Sequence, residues 1–108
     1  MANPFDGMGG MGGMLGGLQA QMRQMQADAE RVEVDGSAAG GKVRIRMNGT
    51  QEVLAVHIDA SVLGDAELVE DLVRAATNDA VRRSKEAVQS NLREFAARMG
   101  LPPGMLGL

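Results

Sequence analysis

The sequence of 108 residues contains no cysteine, no tryptophan, no tyrosine and a single histidine. Without cysteine the chain cannot form disulfides, use a thiolate nucleophile or build a cysteine-based zinc site, and this fits a reducing compartment. Without tyrosine or tryptophan it has no platform for stacking unpaired bases, which argues against single-strand and sequence-specific RNA binding. The lone His57 has no partners that the sequence can place beside it, so we expect no enzyme activity, no metal, no cofactor and no small-molecule substrate.

Long apolar runs are also missing. No stretch approaches the about 20 apolar residues that cross a bilayer, so we expect no membrane contact. The segment GMGGMGGMLGGL lacks the basic region of a signal peptide and directly follows Asp6. We therefore expect a cytoplasmic protein. Its net charge of −3 argues mildly against nucleic acid as a partner.

The composition predicts one small domain with two flexible ends. Residues 1–14 are rich in glycine and methionine, and glycine makes ordering costly, so we expect a flexible N-terminus there. Residues 15–100 are expected to form the single domain, and 101–108 a flexible Pro/Gly tail. A core in so short a chain is near the lower limit of independent stability, so oligomerisation would help.

After Gly17 the sequence is rich in helix-forming residues. Its apolar positions are spaced 3, 4, 3, 4 and 3 residues apart and form a heptad seam: Leu15, Leu18, Met22, Met25, Ala29 and Val32. A seam this short fits a helix that packs on its own domain as well as one that packs on a second copy. Both interpretations stay open.

The centre of the chain predicts three short strands. ERVEVDG alternates with period two, and KVRIRMNGTQEVLAVHID predicts a hairpin around Asn48-Gly49, since both residues tolerate the positive φ of a type I′ turn. A two-residue turn would pair Ile45 with Glu52 and Val43 with Leu54. One face of the hairpin would then be apolar, with Val43, Ile45, Leu54, Val56 and Ile58. The other face would carry Lys42, Arg44, Arg46, Val53, Ala55 and His57.

The final segment predicts a long helix. Asp65 is a plausible N-cap, and no Gly or Pro interrupts Asp65 to Met99, a helix of about 50 Å. The first half would lay Leu68, Leu72, Val73, Ala76 and Ala80 on the sheet. The second half carries a further apolar stripe: Val88, Leu92, Phe95 and Met99. Because a three-stranded sheet cannot cover this length, the second stripe needs the first helix, a second copy of the chain, or both. Gly100 and Pro102 end the helix.

The stretch GSAAGGKV matches the phosphate-binding loop G-x-x-x-x-G-K-[ST] except that Val43 replaces the hydroxyl residue. A functional loop opens a helix, whose N-terminus holds the phosphates. Here the stretch opens the alternating strand KVRIRM, and the hydroxyl that would contact Mg²⁺ is missing. We interpret it as a loop between two strands.

Basic residues form two clusters. One is the strand face Lys42, Arg44 and Arg46, and the other is the helix group Arg82, Arg83 and Lys85 together with Arg74, Arg93 and Arg98. Arg23 stands alone on the first helix. A single cluster of this size is usually a solvated face, although dimerisation would double and align the charges that duplex phosphates require. These residues favour a homo-oligomeric binding or structural protein and leave its partner open.

The order of these segments resembles the YbaB/EbfC family of nucleoid-associated DNA-binding proteins. The resemblance rests on VDGSAAGGKVRIRMNGTQEVLAVHID, on DAELVEDLVRAATNDAVRRSKE, on the Met/Gln-rich QAQMRQMQADAERV and on the LPPGMLGL tail, and it covers about residues 15 to 104. Lys42, Thr77 and Ala60 depart from the family pattern locally.

The resemblance implies an α+β protomer of order α-β-β-β-α, with a three-stranded antiparallel sheet and a long C-terminal helix. It also implies a tweezers-like homodimer that binds double-stranded DNA in the nucleoid, bends or compacts it and influences gene expression. The family provides no fixed set of contact residues, so we select DNA-binding candidates by charge: Arg23, Arg44, Arg46, Arg74, Arg82, Arg83, Lys85 and Arg93. The alternative is a protein-interaction module that uses its exposed helices and Met-rich seam.

Overall fold

A computed structural model describes residues 9–102, with side chains described from Leu15 onward. The elements are α1 (Gly9–Arg31), β1 (Glu33–Ala38), a 3₁₀ turn (Ala39–Gly41), β2 (Val43–Asn48), β3 (Val53–Ile58), a second 3₁₀ turn (Ala60–Val62) and α2 (Ala66–Arg98). The strands form one antiparallel sheet in the order β1-β2-β3. The α-β-β-β-α order predicted from the sequence is therefore confirmed.

Helix α1 begins at Gly9, upstream of the domain boundary that we expected at residue 15. Each interior glycine costs about 1 kcal/mol relative to alanine, so the glycine-rich start of α1 opposes helix formation and the Gln-rich segment after it favours helix formation. Residues 1–8 of the expected flexible N-terminus, and 103–108 of the expected tail, lie outside the described residues.

The predicted register of the hairpin is wrong. Ile45 faces Val56 and not Glu52, a shift of four residues (56 minus 52), and Val43 faces Ile58. Because four is an even number, this shift leaves Val56 and Ile58 on the apolar face with Val43 and Ile45. Val53, predicted on the outer face, instead pairs with the apolar-face residue Met47, because the shift there is odd. An irregularity in the pairing between Arg46 and Met47 leaves Leu54 without a partner in the ladder.

The side chain of Asn48 explains the wider turn. Its Oδ1 accepts the backbone N–H of Thr50 at 3.1 Å and that of Glu52 at 2.9 Å. Gln51 is the residue that takes a positive φ, of 65°. An asparagine that folds its own side chain back onto the backbone competes with the tight type I′ turn, and here it closes a four-residue loop.

Gly49 allows the end of α1 to pack directly on the turn between β2 and β3. Its N–H donates to the carbonyl oxygen of Ala29 at 2.9 Å, and a Cβ at Gly49 would lie only 2.4 Å from that oxygen. On the neighbouring residue, the carbonyl of Asn48 accepts the buried hydroxyl of Ser84 at 2.8 Å. The turn between β2 and β3 thus joins the end of α1 to the middle of α2.

The core lies between α2 and the first two strands. Val43, Ile45 and Met47 of β2 are buried against Ala76 and Ala80 of α2. Burial of each of the three larger side chains contributes about 1.5–3 kcal/mol. The expected contacts of Leu72 and Val73 are confirmed, whereas Leu68, also expected on the sheet, is 40% exposed.

Gly36 allows α2 to lie directly on β1. A Cβ at this position would fall 2.2 Å from the backbone nitrogen of Ala80 and 2.3 Å from the carbonyl oxygen of Ala76. Gly36, Ser37 and Ala38 therefore belong to β1, and only Ala39–Gly41 forms the turn in the stretch that resembles a phosphate-binding loop. The prediction of a loop between two strands is therefore wrong for residues 36–38, which continue β1, and correct for Ala39–Gly41. The first glycine of the stretch is a position where α2 packs on the sheet.

Both predicted ends of α2 are confirmed. The Asp65 side chain accepts the N–H of Leu68 at 3.1 Å, which is an N-cap. At the other end Gly100 takes a φ of +71°, and Leu101 donates its N–H to the carbonyl of Ala96 at 2.8 Å. This bond reverses the chain at the C-terminus of the helix. Within residues 9–102 no helix combines the length and the apolar character needed to span a membrane.

We expect Gly36→Ala to lower the free energy of unfolding by about 3 kcal/mol, because the new methyl group would meet backbone atoms of α2 that no side-chain rotation can move. Urea denaturation followed by circular dichroism measures this change. Gly64→Ala is the matched control, since a Cβ there has open space around it. Equal stability of the two variants would contradict the close approach of α2 to β1.

Candidate nucleic-acid interface

The basic residues predicted to contact DNA are all exposed, but they lie on different surfaces. Arg44 and Arg46 alternate along β2 with the buried Val43, Ile45 and Met47, so they lie on the outer face of the sheet, away from α2. The other candidates lie on α2, except Arg23, which lies on α1. One protomer therefore presents basic groups on the two opposite sides of its two layers.

The outer face of the sheet pairs Arg44 with His57 and Arg46 with Ala55 across the strands. Arg46 Nε donates to Asp35 Oδ1 at 3.1 Å, and Arg46 Nη1 lies 3.9 Å from Glu33 Oε2. The hydrogen bond to Asp35, followed by the negative charges of Asp35 and Glu33, raises the pKa of the Arg46 guanidinium. Arg46 therefore stays charged and is ion-paired with two exposed carboxylates of β1.

Arg44 differs from Arg46 in its acidic neighbours. Within residues 9–102, no acidic side chain lies at ion-pair distance from it. Together with Asp35, Arg46, Ala55, Val56 and His57, it lines a shallow concavity of about 190 Å³. The Asp35 carboxylate in this concavity is bound by Arg46. An exposed guanidinium that is not ion-paired, such as that of Arg44, can contact a phosphate.

Lys42, the first of the three basic residues expected on this face, is exposed and precedes β2. The carboxylate of Asp59 accepts the N–H of Ser61 at 2.8 Å. Hydrogen bonding to Ser61 lowers the pKa of Asp59, with smaller contributions from the positive charges of Lys42 and His57. Asp59 is thus ionised near Lys42 and offsets part of its charge.

Four basic residues of α2 share its outer face. They are separated by eight, three and eight residues, which at about 100° per residue places them within an arc of about 100°. We name this set the α2 ridge: Arg74, Arg82, Lys85 and Arg93. It runs for about 28 Å along the helix. Its arc is centred opposite the buried Ala76 and Ala80, so the ridge faces solvent.

Arg83 does not belong to the α2 ridge. It lies on the side of the helix that faces β1, where its Nε donates to Asp79 Oδ2 at 3.0 Å. The same oxygen of Asp79 accepts the backbone N–H of Ser37 at 3.0 Å, and Arg82 lies 3.5 Å from the other oxygen. Asp79 therefore ties α2 to β1 and orients two arginines. The hydrogen bond from Ser37, then that from Arg83, lowers the pKa of Asp79.

Within residues 9–102, Lys85 and Arg93 have no ion-pair partner, whereas Arg74 lies 3.2 Å from Asp71 with both side chains about 70% exposed (74% and 69%). Exposed pairs of this kind contribute about 0–1 kcal/mol, so exchanging the carboxylate for a phosphate costs little. The α2 ridge is thus available to an anionic partner.

Asp79 is the residue that sequence reasoning missed. It lies in the Asn-Asp-Ala motif that carried part of the family resemblance, but its main partner Ser37 is 42 residues away in the sequence. No local pattern reveals a contact over that separation. The part of the chain that the structure describes holds no group of three or more acidic or histidine side chains placed to bind a metal ion.

Comparison with known proteins identifies relatives over most of the chain. Residues 4–99 match the model of the YbaB/EbfC DNA-binding family. A nucleoid-associated protein of Rhodopseudomonas palustris strain HaA2 is 42% identical over 90 residues, which cover 82% of this chain and 85% of that protein. A nucleoid-associated protein of strain BisB5 of the same species also shows 42% identity, with the same coverage.

The fold has a relative among solved structures. The crystal structure of the uncharacterized protein HP0035 from Helicobacter pylori matches with a TM-score of 0.65 and 28% sequence identity. The match covers 82% of this chain and 91% of that one.

The lowered pKa of Asp79 predicts a pH dependence of stability. Because the folded-state pKa lies below the unfolded value of about 3.9, the ionised carboxylate stabilises the fold above that pH and loses its contribution as pH falls through the folded pKa. We expect Asp79→Asn to melt at a lower temperature than the wild type at pH 7. The difference between the two melting temperatures should become smaller below about pH 4. Thermal denaturation from pH 7 to pH 3 measures both effects. Asp71→Asn, which removes an exposed carboxylate, should leave the profile nearly unchanged; equal effects of the two substitutions would argue against the link from Asp79 to β1.

Proposed function

Because the chain belongs to the YbaB/EbfC DNA-binding family, we propose that it binds double-stranded DNA as a homodimer and acts as a nucleoid-associated protein. The observation that carries this proposal is the α2 ridge. Its basic side chains lie within an arc of about 100° and extend for about 28 Å along the helix, a length close to about eight base-pair steps of 3.4 Å. A band of cations of this length is suited to the phosphates along a duplex.

Contact with phosphates accounts for binding despite the negative net charge. The charge of −3 belongs to the whole chain. Within residues 9–102 the ridge cations pair with two carboxylates: Asp71, which is 69% exposed, and Asp79, which is 20% exposed and also accepts the N–H of Ser37. Phosphate contacts position a protein on DNA without reading its sequence. The ridge also carries Asn78 and Gln89 among its cations, and the amides of such residues hydrogen-bond to phosphates or to base edges.

The bare edge of β3 supports the homodimer. Helix α2 packs over β1 and β2, and Val53, Leu54 and Val56 of β3 remain 51%, 47% and 55% exposed. The N–H of Asp59 donates to the carbonyl of Lys42, the residue before β2, at 2.7 Å, so by alternation the N–H groups of Val56 and Ile58 point away from β2. An exposed apolar edge of this kind is a template for pairing with another strand. A second β3 would complete a six-stranded sheet.

Dimerisation through β3 would also join the two outer sheet faces. His57 lies on this strand directly opposite Arg44, so the two Arg44 concavities would meet across the junction. The two α2 ridges would then belong to one rigid body. Two basic ridges held at a fixed distance can bind separate stretches of one duplex, which supports bending or compaction, effects on gene expression and residence in the nucleoid of the cytoplasm. The proposed contacts remain those chosen by charge: Arg23, Arg44, Arg46, Arg74, Arg82, Arg83, Lys85 and Arg93.

We expect the wild-type protein to retard random-sequence duplex DNA at micromolar concentration and low salt, with an affinity that falls steeply as salt rises. Lys85→Ala and Arg44→Ala should each reduce the slope of log K against log salt by about 1, because each removes one phosphate contact. Arg31→Ala is the charge-matched control, since Arg31 lies at the end of α1 beside Asp28 at 3.6 Å and outside both surfaces.

Mobility shift and fluorescence anisotropy over a range of salt concentrations measure these effects. Failure of the wild type to bind duplex DNA at any salt concentration would overturn the proposed function. Equal slopes for Lys85→Ala and Arg31→Ala would remove the α2 ridge from the interface while leaving DNA binding intact.

For the dimer, we expect Val56→Glu to convert the protein into a monomer near 11.3 kDa by light scattering, because two carboxylates would be buried at the strand junction. Leu63→Glu is the control, since Leu63 is 60% exposed and lies outside the sheet. A dimer that survives Val56→Glu, or a wild-type monomer, would contradict pairing through β3.

A further inference from the structure

The N-terminal part of α1 carries an apolar stripe that nothing covers within residues 9–102. Leu15, Leu18 and Met22 are 57%, 54% and 63% exposed. They continue with Met25 at the spacing of 3, 4 and 3 residues, and we name these four residues the α1 seam. Large apolar side chains that share one stripe of a helix commonly mark an interaction surface.

The burial of the α1 seam changes along the helix. Met25 and Ala29 are half-buried and face Leu92 and Phe95 of α2 across a groove of about 300 Å³. From Met22 toward the N-terminus the seam has no such neighbour, so its first half is the bare continuation of a surface that packs inside the protomer. A helix that covered it would extend packing that already exists.

The residues that flank the α1 seam indicate which kind of helix it can pack against. In the heptad defined by the seam, the flanking positions hold the uncharged amides Gln19, Gln21 and Gln26. No charged residue occurs from Gly9 to Met22, so two identical seams can meet without repulsion between like charges. A heptad seam with neutral flanks is complementary to a second copy of itself.

We propose that the α1 seam docks against the α1 seam of a second copy of this chain in antiparallel orientation, with Leu18 of each copy facing Met22 of the other. Facing residues of an antiparallel pair have numbers that add to a constant, here 40. Leu15 therefore faces Met25, and Asp28 lies beside Gly12. The charged half of each helix then lies along the uncharged half of the other. A parallel pair would place Asp28 beside Asp28 and is therefore disfavoured.

The size of the contact predicts its strength. Three half-exposed side chains on each copy offer only a few hundred Å², well below the roughly 1,200 Å² of a stable interface. The association is therefore weak and reversible in solution. The association becomes effective when copies are held close together, for example side by side on one duplex. A high local concentration then compensates for the weak affinity. The pairing itself requires neither DNA nor the β3 edge.

Sedimentation velocity without DNA, at protein concentrations up to about 1 mM, tests the proposal because weak association requires such concentrations. The wild type should show a concentration-dependent increase in mass. Leu18→Glu should weaken that step at least about tenfold, since the carboxylate would be buried without a partner. Ala20→Glu is the matched control, because Ala20 lies on the opposite face of the same helix and is exposed.

Leu18 is exposed, so Leu18→Glu should fold normally, and circular dichroism verifies this. An increase in mass that Leu18→Glu and Ala20→Glu affect equally, or none in the wild type, would overturn the proposal. Leu18 lies on α1 and Val56 on β3. A negative result for association through the α1 seam therefore leaves the Val56→Glu test of the β3 dimer unaffected.

The absence of cysteine allows a second test of orientation. Under mild oxidation, an equimolar mixture of Leu18→Cys and Met22→Cys should form the mixed disulfide in clear excess over the statistical half of all disulfides, since only the antiparallel pair brings positions 18 and 22 within bridging distance. The matched pair Ala20→Cys and Gln24→Cys, on the outward side of α1, should show no such preference. Self-disulfides of Leu18→Cys in excess of the mixed product would indicate a parallel pair and overturn the proposed orientation.

Discussion

The contact on which the fold depends is the close approach of α2 to β1 at Gly36. With no side chain on Gly36, the backbones at Ala76 and Ala80 come within the distance that a methyl group would occupy. This sets the height of α2 above the sheet and lets the small alanines share one layer with Ile45 and Met47. Asp79, one residue before Ala80, reinforces the contact by accepting the N–H of Ser37, the next residue after Gly36.

The position of α2 over β1 and β2 explains what the protomer leaves exposed. The helix cannot also cover β3, so an apolar edge strand stays open. Its 33 residues also extend beyond the sheet, where only the C-terminal part of α1 accompanies them. The β3 edge and the α1 seam are thus exposed apolar surfaces that α2, packed over β1 and β2, does not cover. They lie on different elements, α1 and β3, so a substitution in one leaves the other unchanged.

The electrostatic arrangement follows from the same two layers. Every cation that alternates with a buried strand residue, or lies opposite a buried helix residue, must face solvent. The α2 ridge and the Arg44 concavity therefore face away from each other within a protomer. Acidic neighbours such as Asp35, Asp71 and Asp79 hold several of the arginines in place while lowering the local charge, which explains how a chain with net negative charge presents ordered cationic rows.

Periodicity together with turn and capping residues was sufficient to predict the order of elements, the buried face of β2 and both ends of α2, because these depend on residues a few positions apart. It also predicted the outward direction of Arg44 and Arg46. The hairpin register, the packing role of Gly36 and Gly49 and the anchoring role of Asp79 could not be predicted in this way. Each depends on atoms that are distant in sequence or on a side chain that competes with the backbone. A turn signal such as Asn-Gly is local, but the side chain of Asn48 and the docking of α1 on Gly49 determine the conformation that the turn adopts.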